Sequence, residues 1–337
     1  MRIVQWDGSD PAAIQECFTL MAAEHAADDP AGPPPSLRRL RSRLEHPVDP
    51  VEVWLAEGPI AGQADGWYLL RLPDKENRER AGLDLSVHPA ARRRGIGTAL
   101  LRHAAARAAC HDRSVLRGEA FQDSPGAAFA RRMGATAGLV DARRVLTLAK
   151  IRPGRIAALR EQAVRAAAGY SLVTWLGRTP DQYQAGFAEV LNAANDMPRD
   201  PGHEDEVWDA DRVREYDDLQ EQRGRRIYTV AALHDATGEM AALTDIEADQ
   251  ETLAWGHQML TAVVRRHRGH RLGLLVKIAM LKWLAEAEPQ LQHIDTGNAA
   301  VNRWMIAINT QLGYEFLPPP AQSYELAVAD ALPPATA

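Results

Sequence analysis

The sequence is poor in cysteine, in long apolar runs and in positive charge. It has two cysteines, Cys17 and Cys110, among 337 residues, which is too few for a disulfide framework and matches no zinc-site spacing. The formal net charge is -6, so the chain lacks the basic excess that neutralises nucleic-acid phosphates. We therefore expect no metal and no nucleic-acid partner, and we expect any anion site to be a local concentration of Arg and Lys.

No segment has the character of a signal peptide or a membrane span. The N-terminus, MRIVQWDGSD, is polar where a signal peptide needs an apolar run. The most apolar helical stretch, Leu272 to Ala285, is too short to cross a bilayer and contains Lys277 and Lys282. These features predict a cytoplasmic protein with no membrane partner.

The order of strand and helix patterns occurs twice, and the length suits two domains. The strands Gly82 to Val87 and Val115 to Phe121 flank a helical pattern, as do WGHQMLTAVV and QHIDTGN later on. The glycine landmarks Gly97 and Gly273 are 176 residues apart, and Gly134 and Gly313 are 179 apart. Two landmarks at nearly one offset indicate duplication. We predict domains at 1–152 and 170–330, joined by a connecting helix at 153–169.

The most informative stretch is LDLSVHPAARRRGIGTALL, in which a strand ends, an arginine-rich loop follows and a helix begins. A helix N-terminus carries unpaired N–H groups and partial positive charge, and glycines let a phosphate approach them. No Gly-Lys-Ser/Thr follows, and the strand ends a meander, so neither a Walker loop nor a dinucleotide fingerprint fits. The predicted anion-binding residues are Val87, Arg92, Arg93, Arg94, Gly95, Ile96, Gly97 and Thr98.

The second copy of this stretch is TAVVRRHRGHRLGLLVKIAML. Gly273 takes the last glycine position and Arg268 the leading arginine position, whereas Arg271 replaces the middle glycine. Gly269 supplies another permissive position, so we expect phosphate binding here too. The predicted binding residues are Val263, Arg268, Gly269, His270, Arg271, Leu272 and Gly273.

The pattern Arg92-x-x-Gly95-x-Gly97, preceded by Val87-x-Pro89 and followed by Leu100-Leu101, resembles the acyl-CoA signature of the GCN5-related N-acetyltransferase (GNAT) superfamily. The combination HRGHRLG with TGNAAVNRWMIAIN resembles a tandem branch that includes mycothiol synthase. The resemblance implies an α/β (α+β) protein of two tandem GNAT-like domains. Each domain would be a mixed, mostly antiparallel twisted sheet flanked by helices, with a splayed strand pair around the pantetheine arm of acetyl-CoA.

The same resemblance implies one CoA contact outside the loops. In this family an asparagine eleven residues before the helix-ending glycine contacts CoA, and Asn302 has that spacing to Gly313. Helix capping is the alternative for Asn302, and it is the role we expect of Asn298.

Acetyl transfer to an amine needs a base, an oxyanion donor and stabilisation of the leaving thiolate. The family's base position, six residues before the loop valine, falls on Ala81 in the first half and His257 in the second. The family's acid position falls on Ala130 and Asn309. Histidine titrates near neutral pH, so we expect the second half to be catalytic with His257 as base. A solvent-facing strand residue is the alternative.

The acceptor side carries an acidic segment, NDMPRDPGHEDEVWDADR (195–212), which would favour a cationic amine or be a solvated loop. The predicted function is acetyl transfer from acetyl-CoA to a primary amine of a small molecule, by a monomer or homodimer. One alternative is a non-catalytic acyl-CoA-binding or partner-binding protein. Another is a thiol-biosynthesis enzyme like mycothiol synthase.

Overall fold

The chain forms two compact units, each built on one seven-stranded sheet. The structure, a computed structural model, describes residues 1–6, 10–59 and 63–332. The first unit comprises Met1–Asp141, Asp200–Glu204 and the chain from Pro318 onward, and the second comprises Ala142–Arg199 and Asp205–Leu317. These units differ from the continuous ranges 1–152, 153–169 and 170–330 expected from the sequence, because each takes in segments from separate parts of the chain.

The first sheet contains the strands β1 (Ile3–Trp6), β2 (Val51–Glu57), β3 (Ala64–Arg71), β4 (Arg80–Val87), β5 (Val115–Phe121), β6 (Thr136–Asp141) and β14 (Ala321–Ala327). Their order is β1-β2-β3-β4-β5-β14-β6. Only β4 and β5 pair in parallel among these neighbours of the described chain, and the other pairs are antiparallel.

Helices cover both faces of this sheet: α1 (Pro11–Asp28), α2 (Leu37–Glu45), α3 (Ile96–Cys110), α4 (Pro125–Arg132) and the short α10 (Val328–Ala331). Successive side chains of a strand point to opposite faces. Tyr68 and Leu70 of β3 therefore pack in the core beneath α3, whereas Trp67 and Leu69 pack in the core beneath α1 and α2.

The second sheet contains β7 (Arg144–Thr147), β8 (Tyr170–Leu176), β9 (Arg226–His234), β10 (Met240–Ala248), β11 (Trp255–Val263), β12 (His293–Thr296) and β13 (Glu315–Phe316). Their order is β13-β7-β12-β11-β10-β9-β8. Here the parallel pair is β11 and β12, so the second sheet repeats the arrangement of the first.

The second unit is likewise covered on both faces by helices, namely α5 (Pro153–Ala166), α6 (Gln184–Ala193), α7 (Ala210–Gln222), α8 (Leu272–Ala287) and α9 (Arg303–Leu312). Ala163 of α5 is buried in the core that α8 forms on one face, so the expected connecting helix is part of this unit. Phe187 of α6 and Val213 of α7 are buried on the other face. Within the described chain, no helix has both the length and the apolarity to cross a membrane.

Two strands differ from the sequence expectation. The pattern of VDARRVLTLA predicts one strand that closes the first half, but the stretch is divided between β6 in the first sheet and β7 in the second. The strand β14 was not anticipated, and it lies between β5 and β6 of the first sheet although it follows the whole second half. Local periodicity indicates that a segment is a strand, but the choice of partner depends on contacts far apart in sequence.

Candidate functional site

In each unit, two parallel neighbouring strands separate part-way along their length. The strands β4 and β5 pair from Arg80–Val115 to Gly82–Arg117, and β11 and β12 pair from Trp255–His293 to His257–Asp295. The strand β4 continues to Val87 and β11 to Val263. Each pair therefore separates beyond its last paired position, as the resemblance to the GNAT superfamily implied. The space between the separated strands is called the cleft of that unit.

The leading arginine of each glycine loop fixes the loop rather than extending from it. Arg92 Nε donates to Val87 O at 3.2 Å, and its guanidinium binds both carboxylate oxygens of Asp28, at 3.0 and 2.6 Å. These hydrogen bonds to Asp28 raise the pKa of Arg92. Arg268 repeats the arrangement, with Nε 3.2 Å from Val263 O and Nη2 2.7 Å from Asp196 Oδ2. A bidentate or charge-assisted bond of this kind restrains loop geometry.

The backbone of the second loop matches that of the first despite the missing glycine. Arg93 and Gly95 have φ values of 66° and 85°, and Gly269 and Arg271, 176 residues later, have φ values of 91° and 54°. Each loop thus has two left-handed positions, with glycine at one and arginine at the other. The replacement of the middle glycine by Arg271 therefore costs strain on the order of 1–2 kcal/mol without changing the path of the chain.

Both loops lead into a helix whose first turn has no side-chain cap among the described residues. By contrast, α4 and α9 are capped by Ser124 and Asn302. Uncapped N–H groups at a helix N-terminus bind anions, so both loops suit a pyrophosphate. A Cβ on Gly97 would lie 3.5 Å from the Phe129 ring, and one on Gly273 would lie 3.4 Å from Ile308 Cδ1.

The remaining loop residues divide between the core and the surface. Ile96 and Leu272 are buried at the start of α3 and α8, and Thr98 is half-buried. Arg93, Arg94, His270 and Arg271 are exposed on the loops, where they can meet an anion. The two loops therefore bring the predicted binding residues together within each unit.

His257 forms a hydrogen bond with Asp295 at the mouth of the second cleft. Its Nδ1 lies 2.9 Å from Asp295 Oδ1 and 3.0 Å from Asp295 Oδ2, at the last paired position of β11 and β12. The imidazole is 40% exposed, whereas the carboxylate is 17% exposed. A carboxylate at Nδ1 fixes the tautomer that leaves Nε2 able to accept a proton. The register also places Glu247 of β10 opposite His257 on its other side.

A β-bulge changes which residue of the first unit corresponds to His257. In β11, Gln258 lies opposite Ile246 and Leu260 opposite Asp245, so the register skips Met259. The strands β3 and β4 pair in continuous register, ending with Arg71 opposite Gly82. Counting back six residues from Val87 therefore gives the wrong counterpart, Ala81, because β11 contains one extra residue at the bulge.

The counterpart positions in the first unit are Gly82 and Arg117, which pair across β4 and β5. Arg117 Nη2 lies 3.1 Å from Asp200 Oδ2, and Asp200 also accepts a hydrogen bond from Leu139 N at 2.7 Å. Arg80 Nη1 donates to Gly202 O at 2.6 Å. The segment Asp200–Glu204 thus covers the first unit where the second unit holds its histidine–aspartate pair.

Glu79 and Asp84, the acidic residues near the expected base position of the first unit, are both in ion pairs. Glu79 binds Arg80, and Asp84 binds Arg43 and, at 3.3 Å, Arg71 Nη1. Neither carboxylate is therefore placed as an unpaired base.

The expected acid position of the second unit, Asn309, is fully buried. Its Nδ2 donates to Asn298 Oδ1 at 2.7 Å, and its Oδ1 is without a partner among the described residues. Asn302 caps α9, since its Oδ1 accepts from Met305 N at 3.2 Å. Capping, expected of Asn298, is therefore the role of Asn302, whose contact with CoA stays a prediction.

The acidic segment between α6 and α7 does not present free carboxylates to an acceptor. Every acidic side chain expected to attract a cationic amine has a partner: Asp196 with Arg268, Glu204 with the N–H of Asn77, Asp205 with Arg199, Glu206 with Trp208 Nε1, Asp209 with the N–H of Arg212, and Asp211 with Arg214. These contacts shape the segment and cap α7, so its charge is used within the fold.

Sequence reasoning did not identify Asp295 or Asp245. It named Gln258 only as a neighbour of His257 that could line the cleft, and Lys277 only as a charge in the most apolar helix. The signal for Lys277 was present, since a lysine among the otherwise apolar residues Leu272 to Met280 is unusual in a core. Asp295 carried no comparable signal, because its partner is fixed by strand register rather than by sequence spacing.

This fold is shared with known acetyltransferases. The family model described as an acetyltransferase (GNAT) domain matches residues 49–134. The tandem GNAT protein from the clavulanic acid biosynthesis pathway, solved without AcCoA, is 30% identical, with 97% of this chain and 98% of that chain covered and a TM-score of 0.80. The GCN5-related N-acetyltransferase from Sphaerobacter thermophilus has the same fold, at 14% identity over 97% and 96% of the chains and a TM-score of 0.67.

A curated relative is the mycothiol acetyltransferase of Salinispora arenicola (strain CNS-205), which is 37% identical over 128 residues. That match spans 38% of this chain and 38% of the relative. The full-length similarity to the clavulanic acid pathway protein decides the assignment. The chain belongs to the GCN5-related N-acetyltransferase superfamily, and it is a tandem GNAT protein.

Proposed function

We propose that this protein is an acetyl-CoA-dependent N-acetyltransferase that moves an acetyl group to a primary amine of a small molecule, with the second unit as its catalytic half. The observation that carries this proposal is the His257–Asp295 pair at the mouth of the second cleft. The corresponding positions of the first unit hold Gly82 and Arg117, neither of which is a base at neutral pH.

In this proposal His257 acts as the general base. With Nδ1 engaged by Asp295, Nε2 accepts the proton of the acceptor ammonium. The neutral amine then attacks the thioester carbonyl directly, and a backbone N–H on the splayed strand stabilises the tetrahedral oxyanion. The C–S bond breaks as the amide forms, and the CoA thiolate takes up a proton.

Both glycine loops support acyl-CoA binding, since both helices begin without a side-chain cap in the described residues and both leading arginines fix the loop path. The first unit, whose paired positions are covered by Asp200–Glu204, would then bind acetyl-CoA without transferring its acetyl group. Duplication would have preserved CoA binding in both halves and the base in one.

The test is CoA release from acetyl-CoA with a panel of primary amines, for the wild type and for His257→Gln. General-base catalysis contributes about 10²–10⁴-fold, so the variant should lose that factor in kcat while still binding CoA. His234→Gln, on β9 of the same unit, is the matched control and should turn over normally. Tight CoA binding by a wild type that releases no CoA with any amine would instead support a non-catalytic acyl-CoA-binding protein.

A second candidate acceptor comes from the likeness to mycothiol acetyltransferase. If this chain shares the acceptor of that relative, mycothiol's deacetylated precursor should be acetylated far faster than simple amines. An equal or lower rate with the precursor would exclude this candidate and leave the broader N-acetyltransferase proposal standing.

A further inference from the structure

The second unit contains three buried polar side chains where the first unit has leucines. The register places Asp245 of β10 where β3 has Leu69, and Gln258 of β11 where β4 has Leu83. Lys277 of α8 lies 176 residues after Leu101 of α3, as Gly273 lies after Gly97. Burying polar groups costs free energy unless they are hydrogen-bonded, so this exchange calls for a compensating role.

These side chains bind one another and the backbone of the bulge. Lys277 Nζ donates to Gln258 Oε1 at 2.8 Å. Gln258 Nε2 in turn lies 2.7 Å from Asp245 O and 2.9 Å from Leu260 O. Asp245 Oδ1 accepts from Leu260 N at 2.6 Å. The carboxamide and the carboxyl therefore hold both sides of Met259, the residue that the register skips.

The bulge lies where the two parallel strands have already separated. Pairing with β12 ends at His257, and the register with β10 skips Met259, so the peptide of Met259 lies outside both ladders. Such a peptide can present its N–H to a thioester oxygen in the cleft, two residues beyond His257. The first unit has leucines at all three positions and a continuous register.

We propose that Asp245, Gln258 and Lys277 are positioning residues that hold the β-bulge of β11, and with it the Met259 N–H, in the geometry that binds the thioester oxygen. This inference rests on the proposed function of the second unit. Lys277 acts through Gln258, and its ammonium also lies 4.9 Å from the centre of the Tyr314 ring. Gln258 holds the bulge directly, through its hydrogen bonds to the carbonyl oxygens of Asp245 and Leu260.

The test replaces Lys277 and Gln258 by leucine, the residue at both positions in the first unit. The variants are Lys277→Leu, Gln258→Leu and the double variant. Lys277→Met keeps the length of the side chain and serves where the leucine variants fold poorly. Lys282→Leu, an exposed lysine of the same helix, is the matched control. Each protein is assayed for kcat, for the KM of acetyl-CoA and for CoA affinity by calorimetry, and the double variant is crystallised.

Loss of one oxyanion donor lowers kcat on the order of 100- to 1,000-fold. We expect a fall of this size in the double variant, with CoA affinity unchanged, a wild-type-like Lys282→Leu control, and β10 and β11 in continuous register in the crystal. A purely structural role would leave kcat per folded molecule unchanged even where the bulge is lost.

Two outcomes would overturn the inference alone. One is a bulge that persists in the double variant, and the other is a bulge that is lost with kcat intact. A wild type that transfers no acetyl group to any acceptor would overturn the proposed function, and the positioning role with it. The crystal structure of the double variant distinguishes these cases because it does not depend on activity.

Discussion

His257 and Asp295 lie opposite each other at the last paired position of β11 and β12, with Nδ1 of the imidazole 2.9 Å from Oδ1 of the carboxylate. The two residues are 38 apart in sequence, and the parallel register alone brings them together. The pair fixes the orientation of an imidazole at the mouth of the second cleft, and the first unit has no equivalent among its described residues because Gly82 and Arg117 occupy the matching positions.

Replacing Asp295 by asparagine should lower kcat by about 10- to 10⁴-fold, because loss of the carboxylate frees the imidazole to adopt the wrong tautomer. The KM for acetyl-CoA should change little, since the loop Val263–Gly273 is untouched. Steady-state kinetics with the best acceptor would measure both constants. Asp235→Asn, an exposed acid of the same unit, is the control. Full activity in Asp295→Asn would show that the pair has no catalytic role.

Leucine substitutions at Gly97 and Gly273 should separate the roles of the two loops. A Cβ at these positions would make an ordinary contact, 3.5 Å from the Phe129 ring or 3.4 Å from Ile308 Cδ1, so the further atoms of a leucine would displace the helix start and block the approach of phosphate. We expect Gly273→Leu to abolish turnover and Gly97→Leu to leave most of it. CoA binding by calorimetry should show one site lost in each variant. If only Gly97→Leu abolishes turnover, the first unit is the catalytic one.

The stability of the first unit should depend on pH through Glu52. Hydrogen bonds from Arg107, and then from His111 and Trp54, lower the pKa of Glu52 to about 2 from an ordinary value of 4.5. Because the folded carboxylate holds its charge to lower pH than the unfolded one, its contribution is fully present above about pH 4.5 and is lost as the pH falls towards 2.

Glu52→Gln should therefore reduce the free energy of unfolding by about 1.5–3 kcal/mol at pH 7, and the difference from wild type should shrink as the pH is lowered from 5 to 3. Urea unfolding at several pH values in that range measures the difference in the free energy of unfolding between the variant and the wild type. Glu57→Gln, at the exposed end of the same strand, should have little effect at any pH. A Glu52→Gln deficit that is constant with pH would contradict the assigned ion pair.

Lys277 should reduce stability near neutral pH, whatever its role in catalysis. Burial lowers the pKa of Lys277 to about 7 from 10.5. Between these values the unfolded chain binds a proton that the folded chain does not, so stability rises with pH across this window and the penalty is complete below about pH 7.

Lys277→Met should raise the free energy of unfolding at pH 6 by about 1–4 kcal/mol, the scale seen when buried charged groups give way to apolar ones. The gain should disappear as the pH approaches 10.5. Denaturant unfolding at pH 6, 8 and 10 would measure this gain in the free energy of unfolding, with Lys282→Met as the control variant. An equal change at all three pH values would mean that Lys277 has an ordinary pKa in the folded protein.

Much of the architecture could be predicted from sequence because it follows from local patterns. The spacing of Ile14, Cys17, Phe18 and Met21 predicts a helix from Pro11 to Ala27, and the structure has one from Pro11 to Asp28. The glycine loops and the splayed strands were also anticipated. The sequence did not predict that β7 joins the second sheet and β14 the first. A strand's sequence specifies which face is buried but not which strand it pairs with.

The candidate site shows the same division. The motif spacing identified His257 as the candidate base, whereas Lys277 was missed although it lies among apolar residues of α8. Spacing alone also gave Ala81 as the residue of the first unit that corresponds to His257. The strand registers show that the bulge at Met259 makes Gly82 the corresponding residue. A bulge is set by hydrogen bonds across strands, which no count along one strand can detect.

From the sequence alone follow the duplicated strand-and-helix order, the two glycine loops and the resemblance to the GNAT superfamily, because these depend on neighbouring residues and motif spacing. The tertiary structure decided that His257 meets Asp295, that Asp200 covers Arg117, and that Lys277 reaches Gln258. These pairs are separated by 19 to 83 residues, and their meeting depends on strand register and helix packing, which are properties of the whole folded unit.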